Sequence, residues 1–171
     1  IDNPELYFQT KLYTGNNSTN AITLDGDEDM SPNMVWLKSR GADNHRLYDT
    51  SRSTNSLVPN DSRAEQSDGN FSSFNSDGFT ITGTDTGWNG SGVNYVAWCW
   101  KESATAGIDV VTYSGNGSAR TISHSLSAVP KFYVVKRRDS AGGWIVYHEA
   151  IGNTKILEMH ETAAEQTSSA S

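Results

Sequence analysis

The residues best suited to chemistry sit in a few short strings. Asp25-Gly26-Asp27-Glu28-Asp29 places carboxylates at alternate positions, and Asp25, Asp27 and Asp29 offer the hard oxygen ligands that Ca2+ prefers. An EF-hand is excluded, because Met30 stands where that loop requires Gly and Trp36 where it requires a bidentate Glu. An exposed acidic turn is the reading the residues favour. His148-Glu149 and His160-Glu161 raise a zinc hydrolase, which needs a second His four residues after the first so that both rings share one helical face. Gly152 and Ala164 occupy those positions, so that reading fails. Gly115-Asn116-Gly117-Ser118-Ala119-Arg120 opens like a dinucleotide loop but lacks the third Gly and a following helix. Cys99 lies between Trp98 and Trp100 in an apolar string, the setting of a packed thiol and not of a nucleophile. No catalytic residue is assigned, and an enzyme is not expected.

Aromatic residues give the remaining chemistry, since exposed rings stack on sugars and partner proteins. Trp88 adjoins Asn89-Gly90 and Trp144 follows Gly142-Gly143. Turn residues beside them make Trp88, Asn89 and Trp144 the candidates for carbohydrate or partner contact. Trp98 and Trp100 lie in the most apolar string and are expected to fill the core.

The composition limits what can position these groups. Ser, Thr, Asn and Gly make up 67 of 171 residues, while five Trp, seven Tyr and five Phe supply large core units. That is the makeup of a β protein with polar turns, not of a helical bundle. The formal charge of −7 argues against nucleic acid as a partner, because phosphate neutralisation needs clustered Lys and Arg. No apolar run approaches the roughly 20 residues that span a membrane, so membrane insertion is not expected. One Cys cannot form an internal disulfide.

Self-similarity is the most informative pattern. Leu12-Tyr13-Thr14-Gly15-Asn16 returns as Thr112-Tyr113-Ser114-Gly115-Asn116, and Pro32–Arg40 returns as Pro130–Arg138. His45-Arg46-Leu47-Tyr48 matches Trp144-Ile145-Val146-Tyr147, and Ala64-Glu65-Gln66-Ser67 matches Ala164-Glu165-Gln166-Thr167. The order is kept and the offsets stay between 98 and 100. This predicts a duplicated unit of about 100 residues, with a first copy over 1–105 and an incomplete second copy over 106–171. The second copy stops before counterparts of 78–82 and 95–100, so the native polypeptide is expected to extend beyond Ser171. Glu5-Leu6-Tyr7-Phe8-Gln9 has the look of a protease-site tag, yet Phe8–Asn16 aligns with Ile108–Asn116, which makes Phe8 onward native.

Strands are expected at Phe8–Thr14, Met34–Lys38, Arg46–Tyr48, Phe79–Thr82, Val93–Lys101, Ile108–Tyr113, Lys131–Val135 and Trp144–His148, with turn residues between them. Ser62-x-x-Glu65 and Thr162-x-x-Glu165 are capping boxes that predict short helical turns, the second reaching over Glu158–Gln166. The fold class is all-β, an antiparallel β-sandwich in tandem repeats.

Pro32-Asn33-Met34-Val35-Trp36-Leu37-Lys38-Ser39-Arg40, His45–Asp49, Phe74–Thr80, Tyr95-Val96-Ala97-Trp98-Cys99-Trp100-Lys101 and Tyr113–Gly117 resemble a repeat family in tail and virion structural proteins of bacteriophages. Marine and cyanobacterial podovirus-like phages are typical sources, and the likeness runs from Phe8 to Ser171. The acidic stretch Asp25–Asp29 departs from the Gly-Phe turn more usual there. The resemblance implies lectin-like or jelly-roll-like sandwiches in a tail fibre, spike or related appendage. It further implies assembly with other virion proteins as a homo-oligomer, commonly a trimer, and contact with a host surface glycan. A capsid decoration or neck protein and a carbohydrate-binding lectin module of a bacterial surface protein are the alternatives, with a glycan-degrading depolymerase behind them.

Overall fold

A computed structural model describes residues 1–168. It is all-β, and its helical part is three single turns of 3-10 helix at Pro4–Leu6, Thr50–Arg52 and Glu149–Ile151. Within the first 105 residues run β1 (Phe8–Thr14), β2 (Asn20–Ile22), β3 (Met34–Ser39), β4 (Arg46–Asp49), β5 (Phe71–Asn75), β6 (Gly78–Ile81) and β7 (Asn94–Trp100). Then follow β8 (Phe132–Lys136), β9 (Trp144–His148), β10 (Lys155–Glu158) and β11 (Gln166–Thr167). Three antiparallel sheets result, ordered β1-β7-β3-β4, β2-β6-β5 and β11-β10-β9-β8.

Period-2 alternation decides what each strand buries. In β7, Tyr95, Ala97 and Cys99 face inward, and Val35 and Leu37 of β3 lie beside them. Across the core stand Ile22, Phe71, Phe79 and Ile81 from the second sheet, with Leu24, Met30 and Trp88 closing the ends. The two sheets thus share one core, as in a β-sandwich. Rings order it: Tyr48 stacks on Phe71 at 4.5 Å between centroids, and Tyr13 stacks on Tyr95 at 4.9 Å. The β5–β6 hairpin turns through Ser76-Asp77 into Gly78, whose φ of 102° and close approach to the Ile22 carbonyl exclude a side chain.

The third sheet packs on the outside of the first. Trp144, Val134 and Met159 meet Met34, Trp36, Leu47 and Leu57, the side of β3 and β4 that faces away from the core. Its pairing follows a pattern already present. Met34↔Asp49, Val35↔Tyr48, Trp36↔Leu47 and Leu37↔Arg46 become Phe132↔His148, Tyr133↔Tyr147, Val134↔Val146 and Val135↔Ile145. The bridges Leu47↔Leu57 and Ser56↔Gln66 have counterparts in Val146↔Leu157 and Ile156↔Gln166. A 3-10 turn follows β4 and another follows β9.

Three expectations are corrected. Neither capping box starts a helix: Glu65 is drawn into ion pairs instead, and the stretch from Glu158 to Gln166 is the end of β10, a turn and the start of β11. The segment 108–113 is not a strand: Ile108 makes an isolated bridge to Ser103, and no strand lies beside 108–113 among the described residues, whereas β1 owes its pairing to β7. Trp98 and Trp100 are half-buried on the outer face and do not fill the core, which takes the smaller Ala97 and Cys99 under the rings of the opposite sheet.

Burial pushes the Cys99 thiol up to about 12, far from the range in which it reacts as a thiolate. Native protein is therefore expected to resist alkylation by iodoacetamide at pH 8 and to label only on unfolding. Rapid native labelling, read by mass spectrometry, would contradict the packing of β7.

Candidate functional site

The structure separates the residues the sequence had singled out. Trp88, Asn89 and Trp144, the candidates for surface contact, are all buried, with Asn89 completely so. That expectation is corrected, and the cause is local. Gly15 lets the β1 end approach the Asn89-Gly90 backbone closely, so the loop folds inward where its small residues permit. The Asn89 amide then bonds on every side. Its Oδ1 accepts from Asn16 N and Asn20 Nδ2 at 3.2 Å, and its Nδ2 donates to the Ser18 and Gly83 carbonyls at 2.6 and 3.0 Å. The Trp88 ring lies under the Arg46 guanidinium at 4.8 Å, and its carbonyl accepts from the Tyr13 hydroxyl at 2.8 Å. Trp144 donates its Nε1–H to the carbonyls of Val58 and Asp61, both at 3.0 Å, and so pins β9 to the sandwich.

The carboxylates of Asp25, Asp27 and Asp29 do not gather about a common point among the described residues. Asp25 pairs with Lys11 at 3.1 Å. Asp27 and Asp29 are exposed, and the turn is shaped from its backbone. The buried Gln9 side chain accepts from Gly26 N at 3.0 Å and donates to the Glu28 carbonyl at 2.8 Å, while Glu5 Oε2 accepts from Asp27 N at 2.9 Å. Residues 5–9 are thus integral to this turn, the tag-like look of the string notwithstanding.

Among the described residues, the ligand atoms that do gather within 4.8 Å belong to Glu158, His160 and Glu161. His160 Nδ1 accepts from Trp144 N at 3.4 Å, and its Nε2 lies 3.5 Å from Glu161 Oε1. The Nδ1 contact ties the turn after β10 to the start of β9.

Two features went unread in the sequence. The first is an ion network at the seam between the third sheet and the sandwich. Asp49 and Arg52, both buried, pair at the end of β4. Glu65 joins Arg52 at 3.5 Å and reaches Arg138 at 2.6 and 3.0 Å. Burial alone would raise the Glu65 carboxyl, but hydrogen bonds from Arg138 and Asn55 and the nearby positive charges hold it below its ordinary value. The second is an aromatic platform on the outer face of β1, β7 and β3. Registered rows place Phe8 beside Trp100 and Met34, and Thr10 beside Trp98 and Trp36. Phe8 and Trp100 tilt together at 5.2 Å, Trp36 and Trp98 meet edge-on at 6.3 Å, and Trp36 Nε1 donates to His45 Nδ1 at 2.8 Å. Leu12 extends the platform, 65% exposed.

A family model described as "Domain of unknown function (DUF7483)" matches residues 3–171. The chain belongs to the DUF7483 family. Comparisons with curated proteins and with solved structures return no match. The DUF7483 match takes in the residues before β1 that hold the acidic turn, as well as the third sheet. No helix among the described residues is long and apolar enough to cross a membrane.

Two outcomes follow from these networks. Asn89→Ala strands several buried partners and is expected to cost about 3 kcal/mol in denaturant unfolding; a loss under 0.5 kcal/mol would contradict its role as a hub. Because the folded Glu65 carboxyl is depressed, its contribution is complete above the unfolded value near 4.5 and drains as pH falls below it. Glu65→Gln should therefore flatten the acid limb of a stability–pH curve, and an unchanged limb would remove Glu65 from the account.

Proposed function

We propose that the chain is a structural, non-enzymatic component of a phage virion, part of a tail fibre, spike or related appendage built from tandem sandwich units. The observation that carries this reading is the recurrence of the β3–β4 register, with its following turn and bridges, in β8–β11 at the offsets of the sequence repeat. Likeness of the Pro32–Arg40 and Tyr95–Lys101 strings to phage virion repeats supports the setting. A chain that folds without disulfides also suits assembly in a reducing bacterial cytoplasm.

The action is presentation. Rigid sheets hold a flat exterior toward a host glycan or a neighbouring subunit, and several weak contacts on one homo-oligomer sum to firm attachment. The contact moves from the buried Trp88 and Trp144 to the platform of Phe8, Trp98 and Trp100, whose half-exposed rings suit the apolar face of a pyranose.

Two measurements test this. Antibody against the chain should decorate virion appendages in electron micrographs; label on the capsid shell, or on no virion at all, would overturn the appendage. The double variant Trp98→Ala/Trp100→Ala should lose about 10-fold in affinity for host surface polysaccharide, the loss of one or two stacking contacts. Unaltered binding by a folded variant would overturn the platform.

A further inference from the structure

The third sheet has a face and an edge whose counterparts in the sandwich are covered. Tyr133, Val135 and Tyr147 stand at the registered positions of Val35, Leu37 and Tyr48. Those three are fully buried under the β2-β6-β5 sheet, whereas Tyr133 is 48% and Val135 37% exposed, and Tyr147 only stacks on Tyr133 at 4.6 Å. The edges differ in the same way. β3 is flanked by β4 and β7, and the backbone of Asn33 and Arg40 continues that ladder to Trp100 and Asn94. β8 has β9 on one side and, among the described residues, no strand on the other.

We infer that the inner face and free edge of β8–β9 form a docking surface for a segment with the pattern of Phe71–Trp100: one strand that adds to β8 as β7 adds to β3, and a hairpin that covers Tyr133, Val135 and Tyr147. This rests on the duplicated-unit part of the reading above. Its occupant is a strand-and-hairpin segment with that pattern, because in the first unit β5, β6 and β7, which follow Gln66, the counterpart of Gln166, supply the same cover. Recognition is by strand addition along the backbone, with alternate side chains supplying the fit. The opposite face of β8–β9 is already spoken for, since Val134 and Trp144 pack on the sandwich. The surface is therefore one-sided, and its acceptor pattern is fixed by the register of β8.

The test appends a second copy of residues 68–101 after Ser171 and follows amide hydrogen exchange by NMR. Amides of Phe132–Lys136 that point away from β9 should gain about 100-fold in protection, as a shift from an open edge to a paired strand gives. Val135→Asp in the extended chain should remove that gain and leave the Tyr95–Cys99 amides protected. The inference is overturned if the β8 amides stay unprotected while the first unit is folded. Should the extended chain fail to fold, a peptide of residues 94–100 titrated into the 171-residue chain must shift the Phe132–Lys136 resonances, and no shift overturns it. If the 171-residue chain sediments as a dimer that Val135→Asp dissociates, the occupant is a second copy and the inference is equally overturned. None of these results depends on where the protein sits in a virion, so a failed appendage assignment is distinguishable from a failed docking surface.

Discussion

The pairing of β3 with β4 decides which side chains are buried, because a one-residue slip would send Val35 and Leu37 to solvent and drive Met34, Trp36 and Lys38 into the core. Each Val or Leu returned to water costs about 1.5–3 kcal/mol, and an unpaired ammonium in the core costs far more. No single hydrogen bond, worth about 1 kcal/mol net, offsets such a slip. With that register fixed, the inner face belongs to the sandwich and the outer face is left for other surfaces. The third sheet takes the part over Leu47, and the aromatic platform is what remains over β1 and β7.

Polar groups then lock the loops that the apolar core leaves undetermined. Gln9 shapes the acidic turn, Asn89 ties three segments together, and Glu65 joins the sandwich to the third sheet through Arg138. All three are nearly out of solvent, and each has its hydrogen-bonding capacity met from more than one direction. Buried polar groups satisfied in this way specify one loop geometry, since any alternative leaves donors or acceptors stranded.

Much of the strand layout was legible, because β1, β3, β4, β6, β7, β8 and β9 carry enough aromatic and β-branched residues to show through. β2, β5, β10 and β11 were missed. Asn20-Ala21-Ile22 and Gln166-Thr167 are too short and polar to declare themselves, and Lys155 and Glu158 mask the two apolar residues of β10. The site was read in reverse. Alternation in β7 identifies two faces but not which one is covered, and the wider aromatic face was the natural candidate for the core. Volume settles it the other way, because Ala97 and Cys99 leave room for Phe79 and Tyr13 where Trp98 and Trp100 would not. Flanking Gly and Asn residues put Trp88 and Trp144 in turns correctly, but small neighbours also let a backbone close over a ring. The Glu65 network had no local signature, as its members lie up to 73 residues from their partners.

β8 pairs with β9 in the register by which β3 pairs with β4. Cross-strand contacts between backbone Hα and amide protons, measured by NMR on the whole chain, address it directly. Contacts that place Val134 opposite Val146 and Trp36 opposite Leu47 in the same molecule are expected. Contacts that place Val134 opposite Ile145 or Tyr147 would show a slipped pairing and contradict it.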